Sequence, residues 1–328
     1  MSRLFFVLLL IVFTGIFECV AQKKPVPVIF DTDIGPDYDD VGAIALLHAF
    51  ADGGEAKILA TTGSNQYSNI AAVLSVFNTY FNRPNIPVGV CKGKAPNLSC
   101  NQKWDSVIIS KYPHAVRTND DAMNAVALYR KTLAVQPDKS VTIITVGFFT
   151  NLADLLNSTP DQFSSLTGSE LVNRKVKRLV SMAGRFPSGN EFNVDRNIPA
   201  SKKVFADWPT EIVFSGWEIG SKIFSGLPLI NNNAIQNSPV KDVFAISIPM
   251  NEQDRNGRMS WDETAVLIAV RGWEKYYSAH RGRIICNDDG SNLWNDKGKG
   301  HRYVVEKMPV QDVSALINRL IQHQPVKK

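Results

Sequence analysis

Asp31-Thr32-Asp33-Ile34-Gly35-Pro36-Asp37-Tyr38-Asp39-Asp40 packs five carboxylates into ten residues. The apolar run Val26 to Phe30 leads into it, and Val41 to Phe50 leads out of it with a helix-like pattern. A buried strand, an acidic turn and a helix in that order begin a strand–helix–strand unit, the building block of a parallel sheet. Gly35 and Pro36 suit the turn. Asp31 and Asp33 are two residues apart, so an extended strand projects them to the same side. Asp39 and Asp40 fall in the first helical turn, where the macrodipole favours negative charge.

That dipole is too weak to hold the whole cluster. Two like charges about 4 Å apart repel by roughly 4 kcal/mol at an effective dielectric near 20. A hard divalent cation relieves this, and an oxygen-only ligand set suits calcium or magnesium. Two other readings compete. One is a solvated acidic loop with a helix cap. The other is a phosphatase of the haloacid-dehalogenase type, which also places Asp-x-Asp after its first strand. There Gly-Thr or a similar pair usually follows the second Asp, whereas Ile34-Gly35-Pro36 follows here.

Outward from this segment the pattern keeps alternating. Further strands are predicted at Lys57 to Thr62, Pro87 to Val90, Val141 to Val146, Val176 to Met182 and Glu211 to Ser215. Helices are predicted at Ile70 to Phe81, Asp121 to Ala134, Asn151 to Asn157, Ser201 to Phe205 and Trp261 to Val270. Tyr276 to Ile285 and Tyr303 to Val305 read as a hairpin, and Val313 to Ile321 as a terminal helix. The expectation is one α/β domain with a mostly parallel central sheet and helices on both faces. Ligands of such sheets bind beyond the carboxyl ends of the strands.

The 328 residues are 44% hydrophobic and 20% charged, enough to bury a large core. A net charge of +5 without a basic run does not support nucleic-acid binding. Arg3, the apolar stretch Leu4 to Phe17 and Cys19-Val20-Ala21 read as a secretory signal cleaved near Ala21/Gln22. Residues 22–328 would then form the mature domain, secreted or periplasmic and without a stable membrane anchor. Export permits a disulfide between Cys91 and Cys100, while Cys286 lies in an apolar run.

The acidic segment resembles that of the inosine–uridine-preferring nucleoside hydrolases: a strand ending in Asp-x-Asp, a glycine turn, then Asp-Asp opening a helix. The resemblance continues in order through Thr62-Gly63-Ser64-Asn65, Gly147-Phe148-Phe149-Thr150-Asn151-Leu152, Met182-Ala183-Gly184, Glu191-Phe192-Asn193 and Trp261-Asp262-Glu263-Thr264-Ala265. It implies a Rossmann-like fold and calcium-dependent hydrolysis of the N-glycosidic bond of a ribonucleoside or related riboside. Carried over, Asp33 is a calcium ligand and the base toward the attacking water. Asp40, the Val146 carbonyl and Asp262 complete the set for one calcium per subunit. Asp39, Asn65, Glu191, Asn193 and Asp262 bind sugar hydroxyls, and Asp31 supports them from behind. The family's homodimers and homotetramers are the implied assemblies.

Three departures bear on these roles. The acidic motif is two residues longer than the short family form, so Asp37 competes with Asp39 and Asp40 for their roles. The segment before Glu191 is short, leaving Asn190 as a candidate sugar ligand and Arg185 as an occupant of the space. Trp261 stands where many members carry a His; it can stack on a base but cannot donate an acidic proton. A calcium-dependent nucleoside- or ribose-binding protein without turnover is therefore the alternative from another class.

Overall fold

The computed structural model describes residues 24–326. The expected signal segment, residues 1–21, lies outside them. Thirteen strands are assigned among the described residues: β1 (Val26–Thr32), β2 (Ala56–Gly63), β3 (Val88–Val90), β4 (Met123–Asn124), β5 (Val141–Thr145), β6 (Val176–Met182), β7 (Ser188–Gly189), β8 (Glu211–Ser215), β9 (Phe224–Ser225), β10 (Arg258–Met259), β11 (Tyr277–Cys286), β12 (Asn292–Asn295) and β13 (His301–Glu306). Eleven form one sheet in the order β4-β3-β2-β1-β5-β6-β8-β13-β11-β12-β7. Pairing is parallel from β4 through β13 and antiparallel from β13 to β7. The expected hairpin partners do pair, as β11 with β13, and β13 joins them to the main sheet through β8.

Alternation in β1 explains the layers. Val28 and Phe30 face one apolar layer, which contains the helices Asp39–Asp52 (α1), Trp261–Arg271 and Val310–Ile321. Ile29 faces the other, with the helices Ala125–Ala134, Thr150–Asn157 and Ile198–Asp207. Burying each such side chain contributes about 1.5–3 kcal/mol. Helix α1 is buried on nearly every side because sheet and helices enclose it. Gly42 makes that enclosure possible, since a Cβ there would stand 2.1 Å from Glu263 Oε1.

The strand order reverses at β1. Units after β1 continue outward through β2, β3 and β4, whereas β5, β6 and β8 extend the opposite way. The crevice between the carboxyl ends of β1 and β5 is therefore the switch point, where ligands of open α/β sheets bind. Both the acidic segment and Val146 leave the sheet there.

Some local expectations shift. The helix predicted from Asp121 begins at Ala125, because Met123 and Asn124 first pair with β3 and Asn124 then caps the helix by accepting from the Ala127 amide at 3.1 Å. Helices Trp104–Lys111, Gly168–Lys175 and Pro239–Ser247 were not predicted. Cys91 and Cys100 are buried free thiols rather than a disulfide. No described helix is long and apolar enough to cross a membrane.

Candidate active site

A cavity of about 230 Å³ opens at the switch point. Its acidic wall is Asp33, Asp37, Asp39, Glu191 and Asp262. Trp217, Trp261, Phe192 and Met182 line its apolar side, with Val146, Asn193 and Arg258 between.

Two helix N-termini bring carboxylates here. Asp39 and Asp40 open α1, and Asp262 and Glu263 open the helix Trp261–Arg271. Asp33 arrives from the end of β1. It lies past the last strand residue, so the strand alternation expected to pair it with Asp31 no longer holds. Asp31 points below the site instead, and its Oδ2 accepts from Thr62 Oγ1 at 2.8 Å, Tyr129 OH at 3.0 Å and Asn151 Nδ2 at 2.9 Å. Gly147 lets the loop after β5 close on Asp33; a Cβ there would lie 2.3 Å from the Asp33 nitrogen.

The acids differ in how they are held. Asp40 Oδ1 accepts from Thr32 Oγ1, while its buried Oδ2 has no partner. Asp39 Oδ1 accepts from Arg258 Nε at 3.0 Å and Nη2 at 2.6 Å, and the same Nη2 reaches Asp37 Oδ2 at 2.7 Å. The Glu191 carboxylate accepts the Asn193 and Gly184 amides, each at 2.9 Å, and the Val194 amide at 3.3 Å. Asn193 Nδ2 donates to the Val146 and Met182 carbonyls, both at 3.1 Å.

Burial raises the affinity of these acids for protons. Asp33 is held well above the usual carboxylate range by burial and then by Asp37. Asp40 is raised likewise by burial and Asp33, and Asp262 by burial and Asp39. Burial lifts Asp39 to about 6 against the pull of Arg258, and Glu191 to about 7 against its backbone donors. A divalent cation would remove much of this penalty. Oxygen-only donors, an unpartnered buried Asp40 oxygen and mutually repelling acids fit a hard cation. As placed, no three His, Cys, Asp or Glu side chains among the described residues are drawn together as a metal cluster.

Two expected sugar ligands sit elsewhere. Asn65 is fully buried and does not line the cavity. Its Nδ2 donates to the Asp33 carbonyl at 3.2 Å and the Leu98 carbonyl at 2.8 Å, and its Oδ1 accepts the Leu98 amide at 2.9 Å. It thus ties the loop after β3 to the backbone of Asp33. Asn190 is exposed and also outside the lining. Arg185 stacks its guanidinium 4.2 Å over Trp217. Trp261 is anchored by its ring nitrogen, which donates to the Trp217 carbonyl at 2.8 Å, so both indoles form one wall.

No histidine among the described residues lines the cavity. His48 is buried beside Asn78 and stacked on Phe81, and burial drives it down to about 3. His301 borders a separate groove with Trp208 and Arg281. His280 stacks on Tyr303. Arg258 was missed from sequence. The excess of carboxylates was a signal that some cation must face them, but its partners lie more than 200 residues away in the chain.

Residues 28–314 match the family model described as inosine-uridine preferring nucleoside hydrolase. The pyrimidine-specific ribonucleoside hydrolase RihA of Citrobacter koseri is 31% identical over 211 residues, covering 60% of this chain and 61% of that protein. The match therefore spans about three-fifths of that relative's length. The plant nucleoside hydrolase PpNRh1 superposes with a TM-score of 0.68 at 18% identity, over 91% of this chain and 99% of that one. The inosine-uridine preferring nucleoside hydrolase from Bacillus anthracis gives 0.68 at 17% identity, over 90% and 99%. These two likenesses show a shared fold.

Proposed function

The chain belongs to the inosine-uridine preferring nucleoside hydrolase family, and we propose that it hydrolyses the N-glycosidic bond of ribonucleosides or related ribosides with calcium as cofactor. The observation that carries this reading is one crevice holding Asp33, Asp262 and the Val146 backbone, with Asp40 and its unpartnered oxygen behind. Asp33, Asp40, Asp262 and the Val146 carbonyl would hold one ion per subunit. When bound, the ion offsets the carboxylate charge and makes the attacking water more acidic.

Asp33 takes the proton of that water. Asp39, Glu191, Asn193 and Asp262 grip the sugar hydroxyls, and the acidic wall favours the positive charge that grows on the sugar as the bond breaks. Trp217 and Trp261 offer ring faces to the departing base. Asn65 acts through position, by tying the loop to Asp33. Family membership removes the phosphatase reading. We also propose an exported mature protein from the Leu4 to Phe17 signal, and assembly into a homodimer or homotetramer.

Asp33→Ala tests the chemistry. Loss of the base should lower turnover by about 10²–10⁴-fold, measured as reducing sugar released from a panel of ribonucleosides with calcium present. The second reading, binding without turnover, draws on Trp261 replacing a His. It wins if the wild-type protein binds a nucleoside with calcium yet releases no sugar from any of the panel.

A further inference from the structure

Arg258 stands in the cavity wall, buried to within 7% of full enclosure. Its fork is spent on the two acids of the longer half of the loop: Nε and Nη2 on Asp39 Oδ1, and Nη2 on Asp37 Oδ2. Its nearest other carboxylate, Asp254, is 4.0 Å from Nη1. Asp254 is itself fixed by the Tyr38 hydroxyl at 2.8 Å and Asn251 Nδ2 at 3.1 Å. Aromatic rings bracket the guanidinium, Tyr38 at 5.0 Å and Trp261 at 5.2 Å.

The backbone is fixed as firmly. Arg258 pairs with Ser225 in the β9–β10 ribbon. Gly257 precedes it at φ +105°, where a Cβ would also sit 2.7 Å from the Ser225 carbonyl oxygen. Side-chain bonds and backbone together hold the guanidinium on Asp37 and Asp39. None of the described ion pairs reaches Asp33, Asp40 or Asp262.

We propose that Arg258 is a positioning residue that divides the acidic cluster in two. It occupies Asp37 and Asp39, which confines the metal ion to Asp33, Asp40, Asp262 and the Val146 carbonyl and keeps Asp39 turned toward the sugar. The two-residue extension that introduces Asp37 and the arginine that neutralises it form one device. The inference rests on the metal-dependent reading of the site. Without Arg258, Asp37 and Asp39 become a second acidic pair beside the first, with oxygen ligands suited to another hard cation. Lysine would keep the charge but lose the planar fork that grips two carboxylates at once.

Calorimetric titration of the mature chain with calcium, repeated with terbium luminescence as a probe, tests this. Wild type should bind one ion. Arg258→Met should bind two, and Arg258→Met with Asp37→Asn should return to one. For the nucleoside, Arg258→Met should raise KM by about 10-fold, the weight of one hydrogen bond to a charged group, with a smaller change in kcat. If Arg258→Met does not fold, Arg258→Lys carries the test, with one ion bound and KM raised at least about five-fold because the fork is gone. Arg258→Met binding a single ion with wild-type KM, or Arg258→Lys with wild-type KM, overturns the inference and leaves the metal site standing. Wild type binding no calcium overturns the metal reading and this inference with it.

Discussion

Asp31 and Asp40 are both fully buried and lie nine residues apart, yet they are provisioned unequally. Asp31 has three donors on Oδ2 from three different elements, Thr62, Tyr129 and Asn151, and none on Oδ1. Asp40 has one donor on Oδ1 and none on Oδ2. A buried acid held by three donors is tied into the scaffold. A buried acid with a single donor has the larger shortfall, one that the proposed cation would fill. Asp37 and Asp39 are a third case, satisfied by a cation from the chain itself.

Asp40→Asn should have the largest effect. The amide keeps an oxygen for Thr32 but removes a charge, and a unit charge pair near 4 Å carries roughly 4 kcal/mol at an effective dielectric of about 20. Calcium affinity should fall by about 10³-fold, since each 1.36 kcal/mol is tenfold. The metal-free protein should melt at the same temperature or higher, because a repelling charge is gone. A variant that binds calcium as the wild type does would show that Asp40 belongs with Asp31 in the scaffold.

Asp31→Ala should do the reverse. Leaving buried donors unpaired costs about 1–3 kcal/mol for each, so chemical denaturation should show a clear loss of stability while calcium still binds. Unchanged stability with calcium binding lost would invert the roles of the two residues.

A pH series bears on what the buried acids share. Burial raises Asp31 and Asp39 to about 6 and Glu191 to about 7, above their ordinary values of 3.8 and 4.5. The folded state therefore holds protons that the unfolded chain has released. Their contribution to stability is complete below the ordinary values and is lost as pH rises through about 6 to 7. Metal-free protein should lose melting temperature from about pH 4 to pH 7, and calcium should flatten that decline. A metal-free melting curve that rises over this interval would contradict the burial argument.

Trp261→Phe is the smallest change. It removes the hydrogen bond to the Trp217 carbonyl, about 0.5–1.5 kcal/mol, and keeps a ring face. A KM rise of no more than about ten-fold, with calcium affinity intact, fits a wall residue. A collapse of kcat would give Trp261 a direct part in the chemistry.

Much of this layout was legible in the sequence. β1, the turn at Gly35 and α1 follow from an apolar run, a glycine and a second apolar run, all local signals. The sheet's far edge was not. β7 is two residues long and exists through pairing with Asn292 and Leu293, about a hundred residues away. The same limit applies in the site. The motif located Asn65, but nothing near it indicated that its amide would be consumed by Leu98 and the Asp33 backbone. Arg258 belongs to an ordinary Gly257-Arg258 pair, and only the fold brings it to Asp37 and Asp39.

The proposed hydrolytic centre is calcium-dependent. Its most direct test is sugar release from ribonucleosides by the purified protein, before chelation, after it, and after calcium is restored. Release should stop with the chelator and return with calcium. Release unaffected by the chelator would contradict it.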